Sequence, residues 1–91
     1  MYSERVRDAL NLAFTLHSGQ MRKGSGTPYI VHLLGVAAQV GVHGGDEDQF
    51  IAALLHDAVE DQGGLPTLER IRGQFGDRVA DLVLKCSDST E

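Results

Sequence analysis

The chain carries a single cysteine, Cys86, among 91 residues, so no disulfide can form within it. So little cysteine argues for a reducing compartment, and a cytoplasmic setting is expected. No apolar run approaches the roughly 18 residues needed to span a bilayer, so no membrane partner is expected. The opening residues, Met1-Tyr2-Ser3-Glu4-Arg5, lack the continuous apolar stretch of a secretory signal. Basic residues are few, 8 against 13 acidic ones, for a net charge of −5. That balance argues against the broad positive footprint of a nucleic-acid binder, although a local basic pair can still hold an anion. Strand-type alternation, internal repeats, low-complexity segments and interdomain linkers are also missing. With 42% apolar and 23% charged residues, the chain is too apolar for disorder and too short for two ordinary domains. One modest core is expected, burying roughly 60–65% of the unfolded surface.

What is present is helical periodicity. Val6, Leu10, Ala13, Phe14 and His17 form one stripe, with Ser3 as the N-cap. Residues 21–27, with two glycines and two basic residues, read as a loop. Thr27 and Pro28 suit a helix start, with proline at the first helical position. That second helix is expected to run from Pro28 to about Val42 and to bury Val31, Leu34 and Ala38 or their neighbours. Gly41, Gly44 and Gly45 end it. Asp46 and Gln49 form a capping-box pair opening a third helix, which is expected to continue to about Asp61. Thr67 is placed to cap a short fourth helix bearing Leu68, Ile71 and Phe75, with Gly76 as its stop. Asp77 is placed to cap a fifth helix with Val79, Leu82, Val83 and Cys86 on one face. The expected fold is a single all-α domain over residues 1–91, with five helices, two of them short.

Chemistry concentrates where the third helix ends. His56, Asp57, Glu60 and Asp61 fall within an arc of about 140° at about 100° per residue. The apolar run Phe50-Ile51-Ala52-Ala53-Leu54-Leu55 leads directly into them. Charge set against a core is costly without compensation, and a divalent cation is the simplest compensator for imidazole plus carboxylate. The alternative is a helix end whose polar residues merely face water. His32, one turn into the second helix, is either a ligand or a hydrogen-bonded core residue. His17 and His43 read as structural or solvated, and Cys86 as core packing. Arg22 and Lys23 are the adjacent basic pair. They sit beside glycines that let a ligand approach the backbone, and are otherwise solvated loop charges.

Three blocks taken together, His17-Ser18-Gly19-Gln20-Met21-Arg22-Lys23, Gly26-Thr27-Pro28-Tyr29-Ile30-Val31-His32 and Leu54-Leu55-His56-Asp57-Ala58-Val59-Glu60-Asp61, closely resemble the HD-superfamily metal-dependent phosphohydrolases. The likeness is to the alarmone hydrolase domain of the RelA/SpoT type and its small stand-alone relatives. It runs from about Arg5 to Asp88 and includes Phe75-Gly76-Asp77 with the helix that follows. It implies an HD-like helical bundle. It implies that His32, His56 and Asp57 ligate a divalent metal, usually manganese, and that Glu60 and Asp61 orient and activate the attacking water. It further implies that Arg22 and Lys23 contact a guanine nucleotide, guanosine tetra- or pentaphosphate, whose 3′ pyrophosphate is released.

Two departures qualify the likeness. Leu33 stands where the family usually has proline. The family's fourth metal ligand, an aspartate in a later Ala-Asp-Arg-like motif, has no counterpart here, with Asp88 the one nearby substitute. The chain is therefore expected to be the N-terminal half of such a domain, weak or silent on its own, and paired through its uncovered apolar face in a homodimer. Another nucleotide substrate, or a catalytically silent regulatory or assembly module, are the alternative readings.

Overall fold

The computed structural model describes the backbone of residues 2–88 and side chains as far as Cys86, so the Asp88 carboxylate as a substitute ligand lies outside what is described. Its elements are α1 (Glu4–Leu16), α2 (Tyr29–Val42), α3 (Glu47–Leu55), α4 (Ala58–Asp61), α5 (Leu65–Phe75) and α6 (Asp77–Asp88). Among the described residues the extended pairing is a lone antiparallel bridge between Met21 and Pro28. The fold is all-α, as the periodicity requires.

α3 is the centre of the packing. Its residues Ile51 through Leu55 are all buried, and it lies against α1, α2 and α6, while α5 packs on α6. The fully buried large side chains are Leu33, Ile51, Leu54, Leu55, Ile71, Val79 and Val83, drawn from α2, α3, α5 and α6. Local signals set two helix starts. The Ser3 hydroxyl accepts the Arg5 N–H. Asp46 and Gln49 exchange side-chain and backbone bonds at 2.9 Å each, a complete capping box. Arg5 and Arg78 then bracket the acidic first turn of α3. Arg5 lies 3.0 Å from Glu47 and 2.8 Å from Asp48, and Arg78 lies 2.9 Å from Asp46.

Several expected details are corrected. The α2 face is rotated: Leu33 and Ala37 are buried, whereas Val31 is 52% and Leu34 43% exposed and Ala38 faces outward. The helix is apolar on nearly every side, so hydrophobicity does not select a face. In α1 the buried residues are Ala9, Leu12 and Ala13, and Phe14 points out. Pro28, not Thr27, precedes α2, because the bridge to Met21 keeps Pro28 extended. α5 opens at Leu65 with Pro66 in its first turn. Thr67 is therefore inside the helix, and its hydroxyl donates back to the Gln62 carbonyl at 2.6 Å. Gly76 ends α5 with φ 99°, a left-handed conformation suited to glycine. Asp77 is the first residue of α6 rather than its cap. Cys86 is half-buried at a cavity wall rather than in the core.

The third helix does not run unbroken to Asp61. It stops at Leu55, His56 and Asp57 form a turn, and α4 follows as a single turn. Asp57 sits at φ −90°, ψ −7°, a sparsely populated region that active-site residues often occupy. A hydrogen bond from the Tyr29 hydroxyl on α2 reaches the Asp57 carboxylate at this break.

Candidate metal centre

The end of α3 and the first turn of α2 bring His32, His56 and Asp57 together. One potential ligand atom from each lies within 4.8 Å of the others, and all three side chains are mostly buried. Asp57 is the hinge of the group. Its Oδ1 lies 3.2 Å from His56 Nε2 and its Oδ2 3.7 Å from His32 Nε2. The Tyr29 hydroxyl donates a short hydrogen bond to the same Oδ2. His56 is oriented from behind, its Nδ1 donating to the Ala53 carbonyl at 2.6 Å.

The electrostatics follow from these contacts. The His56 hydrogen bond holds the Asp57 carboxyl down at about 2, against the opposing effect of burial and with help from the Tyr29 hydroxyl. The same bond raises His56 above its ordinary value. Burial, and then the Arg22 guanidinium, lower His32. Burial and the Asp57 charge push the Tyr29 phenol up, so it stays a donor. The donor chemistry fits a divalent ion. Two imidazoles and an ionised carboxylate converge at the edge of an apolar core, and His56 already has the remote N–H to carbonyl bond that orients metal-binding histidines.

The remaining candidates lie around this cluster. Arg22, Lys23 and Asp61 line one shallow cleft of about 330 Å³, together with Gln20, Met21 and Tyr29. Glu60 is exposed on α4 and does not line it. The loop bearing Arg22 is closed at its base, with Arg22 N–H donating to the Thr27 carbonyl and Tyr29 N–H to the Gln20 carbonyl, both at 2.8 Å. Gly24 (φ 83°) and Gly26 (φ 71°) let it turn so tightly. A larger cavity of about 490 Å³ between α2, α3 and α6 has apolar walls, including Val36, Ala52 and Leu82, and touches the cluster through His56. Its lining lacks the basic pair, so the polar cleft is the better seat for a phosphorylated ligand.

Tyr29 and Gln20 have roles that the sequence does not assign, while His17 is structural, one of the two readings expected of it. Tyr29 shares its helix face with His32 three positions on, a spacing visible in the sequence. His17 is 3% exposed and stacks on Tyr29, ring centroids 4.9 Å apart. Gln20 is a hub: its Oε1 lies 2.7 Å from both His17 Nδ1 and Gln62 Nε2, and its Nε2 donates to Asp61 at 3.5 Å. His43 lies apart, its Nδ1 donating to the Gln39 carbonyl at 2.8 Å.

Residues 9–91 match the HD domain family. The chain belongs to the HD-domain family. This HD domain is 44% identical over 82 residues to a guanosine-3′,5′-bis(diphosphate) 3′-pyrophosphohydrolase of Aquifex aeolicus, covering 90% of the chain and 11% of that protein. It is 42% identical over 86 residues to a guanosine-3′,5′-bis(diphosphate) 3′-pyrophosphohydrolase of Xenopus tropicalis, covering 91% of the chain and 47% of that protein. A GTP pyrophosphokinase of Myxococcus xanthus is 42% identical over 78 residues, 86% of the chain and 10% of that protein. The HD domain thus spans about half of one relative and about a tenth of the others. No helix among its described residues is long and apolar enough to cross a membrane.

Proposed function

We propose that this HD domain is a metal-dependent guanosine-3′,5′-bis(diphosphate) 3′-pyrophosphohydrolase. The observation that carries the reading is the convergence of His32, His56 and Asp57 beside a cleft lined by Arg22, Lys23 and Asp61. The names of the relatives supply the substrate class.

In this reading His32 and His56 supply imidazole nitrogen and Asp57 supplies carboxylate oxygen to one divalent ion, with manganese proposed. Such an ion, when bound, acidifies water and polarises a phosphoryl oxygen. The protein's own residues do the rest. Tyr29 and Ala53 fix the orientation of Asp57 and His56. Asp61, held by Gln20 and lining the cleft, aims the attacking water and takes its proton, with Glu60 beside it on the same turn as the proposed second carboxylate of the pair. Arg22 pairs phosphate oxygens or stacks on the base, and Lys23 adds a point charge. Water attacks the 3′ diphosphate, the bond to phosphorus breaks, and pyrophosphate leaves with the 3′ oxygen reprotonated.

The test is pyrophosphate release from a nucleotide panel, by the wild-type chain and by Asp57→Ala. Weak metal-dependent release from guanosine tetraphosphate, lost in Asp57→Ala, is the expected result. Equal release from unrelated nucleotides, or release that persists in Asp57→Ala, refutes it. A homodimer belongs to the same reading. It is supported by the outward apolar row Val31, Leu34, Ala38 and Val42 on α2, and is checked by light scattering. A cytoplasmic setting, supported by the lone cysteine, completes it.

A further inference from the structure

His32 faces two ways. Its Nε2 points toward Asp57, while its Nδ1 lies 2.9 Å from Arg22 Nη1. A guanidinium has N–H donors and no acceptor, so Nδ1 must offer its lone pair. A neutral imidazole carries one proton. With Nδ1 accepting, that proton sits on Nε2, the atom directed at the carboxylate, and Nε2 then has no lone pair for a metal. His56 is set the opposite way: its Nδ1 donates to Ala53, so Nε2 is its ligating atom once the proton it shares with Asp57 has left. Two neighbouring imidazoles are thus held in opposite senses, one by a carbonyl and one by an arginine. The arginine side chain is exposed, and its loop is pinned through backbone atoms, so the guanidinium can swing away without opening the loop.

We propose that Arg22 is a positioning residue that competes with the divalent ion for His32, holding the ring in its non-ligating form until the guanidinium is drawn off. The proposal rests on the reading of His32 as a ligand and Arg22 as a nucleotide contact. It gives Arg22 a second task. A nucleotide phosphate that captures the guanidinium frees His32 Nδ1 to take a proton from water while Nε2 gives its own up to water, and the ring then ligates through Nε2. By linkage, whatever removes Arg22 from His32 strengthens metal binding, and metal binding releases Arg22 for the nucleotide.

The experiment measures Mn²⁺ affinity of the 91-residue chain without nucleotide, from the signal of free Mn²⁺ in electron paramagnetic resonance. Arg22→Ala and Arg22→Met should bind Mn²⁺ more tightly by about three- to tenfold, the worth of one hydrogen bond. Lys23→Ala, which removes the same charge one residue away, should shift affinity less than twofold. Long-range ¹H–¹⁵N correlation spectra of the metal-free protein should show His32 protonated on Nε2 and bare on Nδ1. Unchanged or weaker binding in both Arg22 variants overturns the proposal, as does equal tightening in Lys23→Ala or a His32 ring protonated on Nδ1. His56→Ala separates this from the underlying reading. If it weakens Mn²⁺ binding while the Arg22 variants do not tighten it, the metal centre stands and the competition falls. If it leaves binding unchanged, the metal centre falls and the competition with it.

Discussion

Replacing Asp57 with asparagine keeps the shape of the side chain and removes its charge, so it isolates what the carboxylate does before any metal binds. In the folded chain the carboxyl is drawn from 3.8 to about 2, chiefly by the His56 hydrogen bond. At about 1.4 kcal/mol per pKa unit, that depression is worth about 2 kcal/mol to the folded state. Its sign is fixed. A lowered carboxyl pKa stabilises above the unfolded value and loses that contribution as pH falls through the folded one. His56 behaves in the opposite sense: its raised pKa stabilises below its ordinary 6.5 and is lost as pH climbs through the folded value. The pair is therefore worth most between about pH 4 and 6.5. A small domain changes its melting temperature by about 4–8 °C per kcal/mol, so Asp57→Asn should melt about 10 °C lower near pH 5.5. The gap should narrow toward pH 3 and again toward pH 9. Circular dichroism melts in chelator across that range measure it. A variant as stable as the parent at pH 5.5, or a gap that widens steadily to pH 9, would refute the ion-pair reasoning.

Metal content after dialysis should drop in His56→Ala and hold in His43→Ala, since His43 lies outside the cluster; equal loss in both would contradict the ligand set. Arg22→Ala and Lys23→Ala should each change stability by no more than about 0.5 kcal/mol while weakening guanosine tetraphosphate binding by calorimetry. Asp46→Ala removes the capping box of the central helix and should cost about 1 kcal/mol in urea unfolding. Leu54→Ala, at a fully buried position of the same helix, should cost about 2–5 kcal/mol, enough to leave much of the chain unfolded at 37 °C.

Features written within four or five residues were legible before the fold was known. The Ser3 cap, the Asp46–Gln49 box and the Gly76 stop are each a short-range bond or a backbone conformation, and each stands where its residues imply. The buried face of α2 was not legible. A helix reading Tyr-Ile-Val-His-Leu-Leu-Gly-Val is apolar around most of its circumference, and the contacts that choose Leu33 over Leu34 come from α3. The break at His56-Asp57 was hidden for a related reason. Nothing in Leu-Leu-His-Asp-Ala-Val forbids helix, and the bonds that accompany the turn include one from Tyr29, 28 residues away. The cluster itself was readable as residue types, whereas the opposed senses of its two imidazoles depend on Arg22 and Ala53 and needed coordinates.

The early stop of α3 also shapes the field around the cluster. Peptide dipoles in a helix add up to about half a negative charge at the carboxyl end, felt mainly within the last turn. Had the helix continued to Asp61, that pole would have fallen among exposed carboxylates, repelling them to no purpose. Ending at Leu55, it falls beside His56 and Asp57 at the rim of the core, where water is scarce and the field is weakly screened. The backbone of the most buried helix thereby favours positive charge where the side chains converge, whether it arrives as a proton on His56 or as a cation.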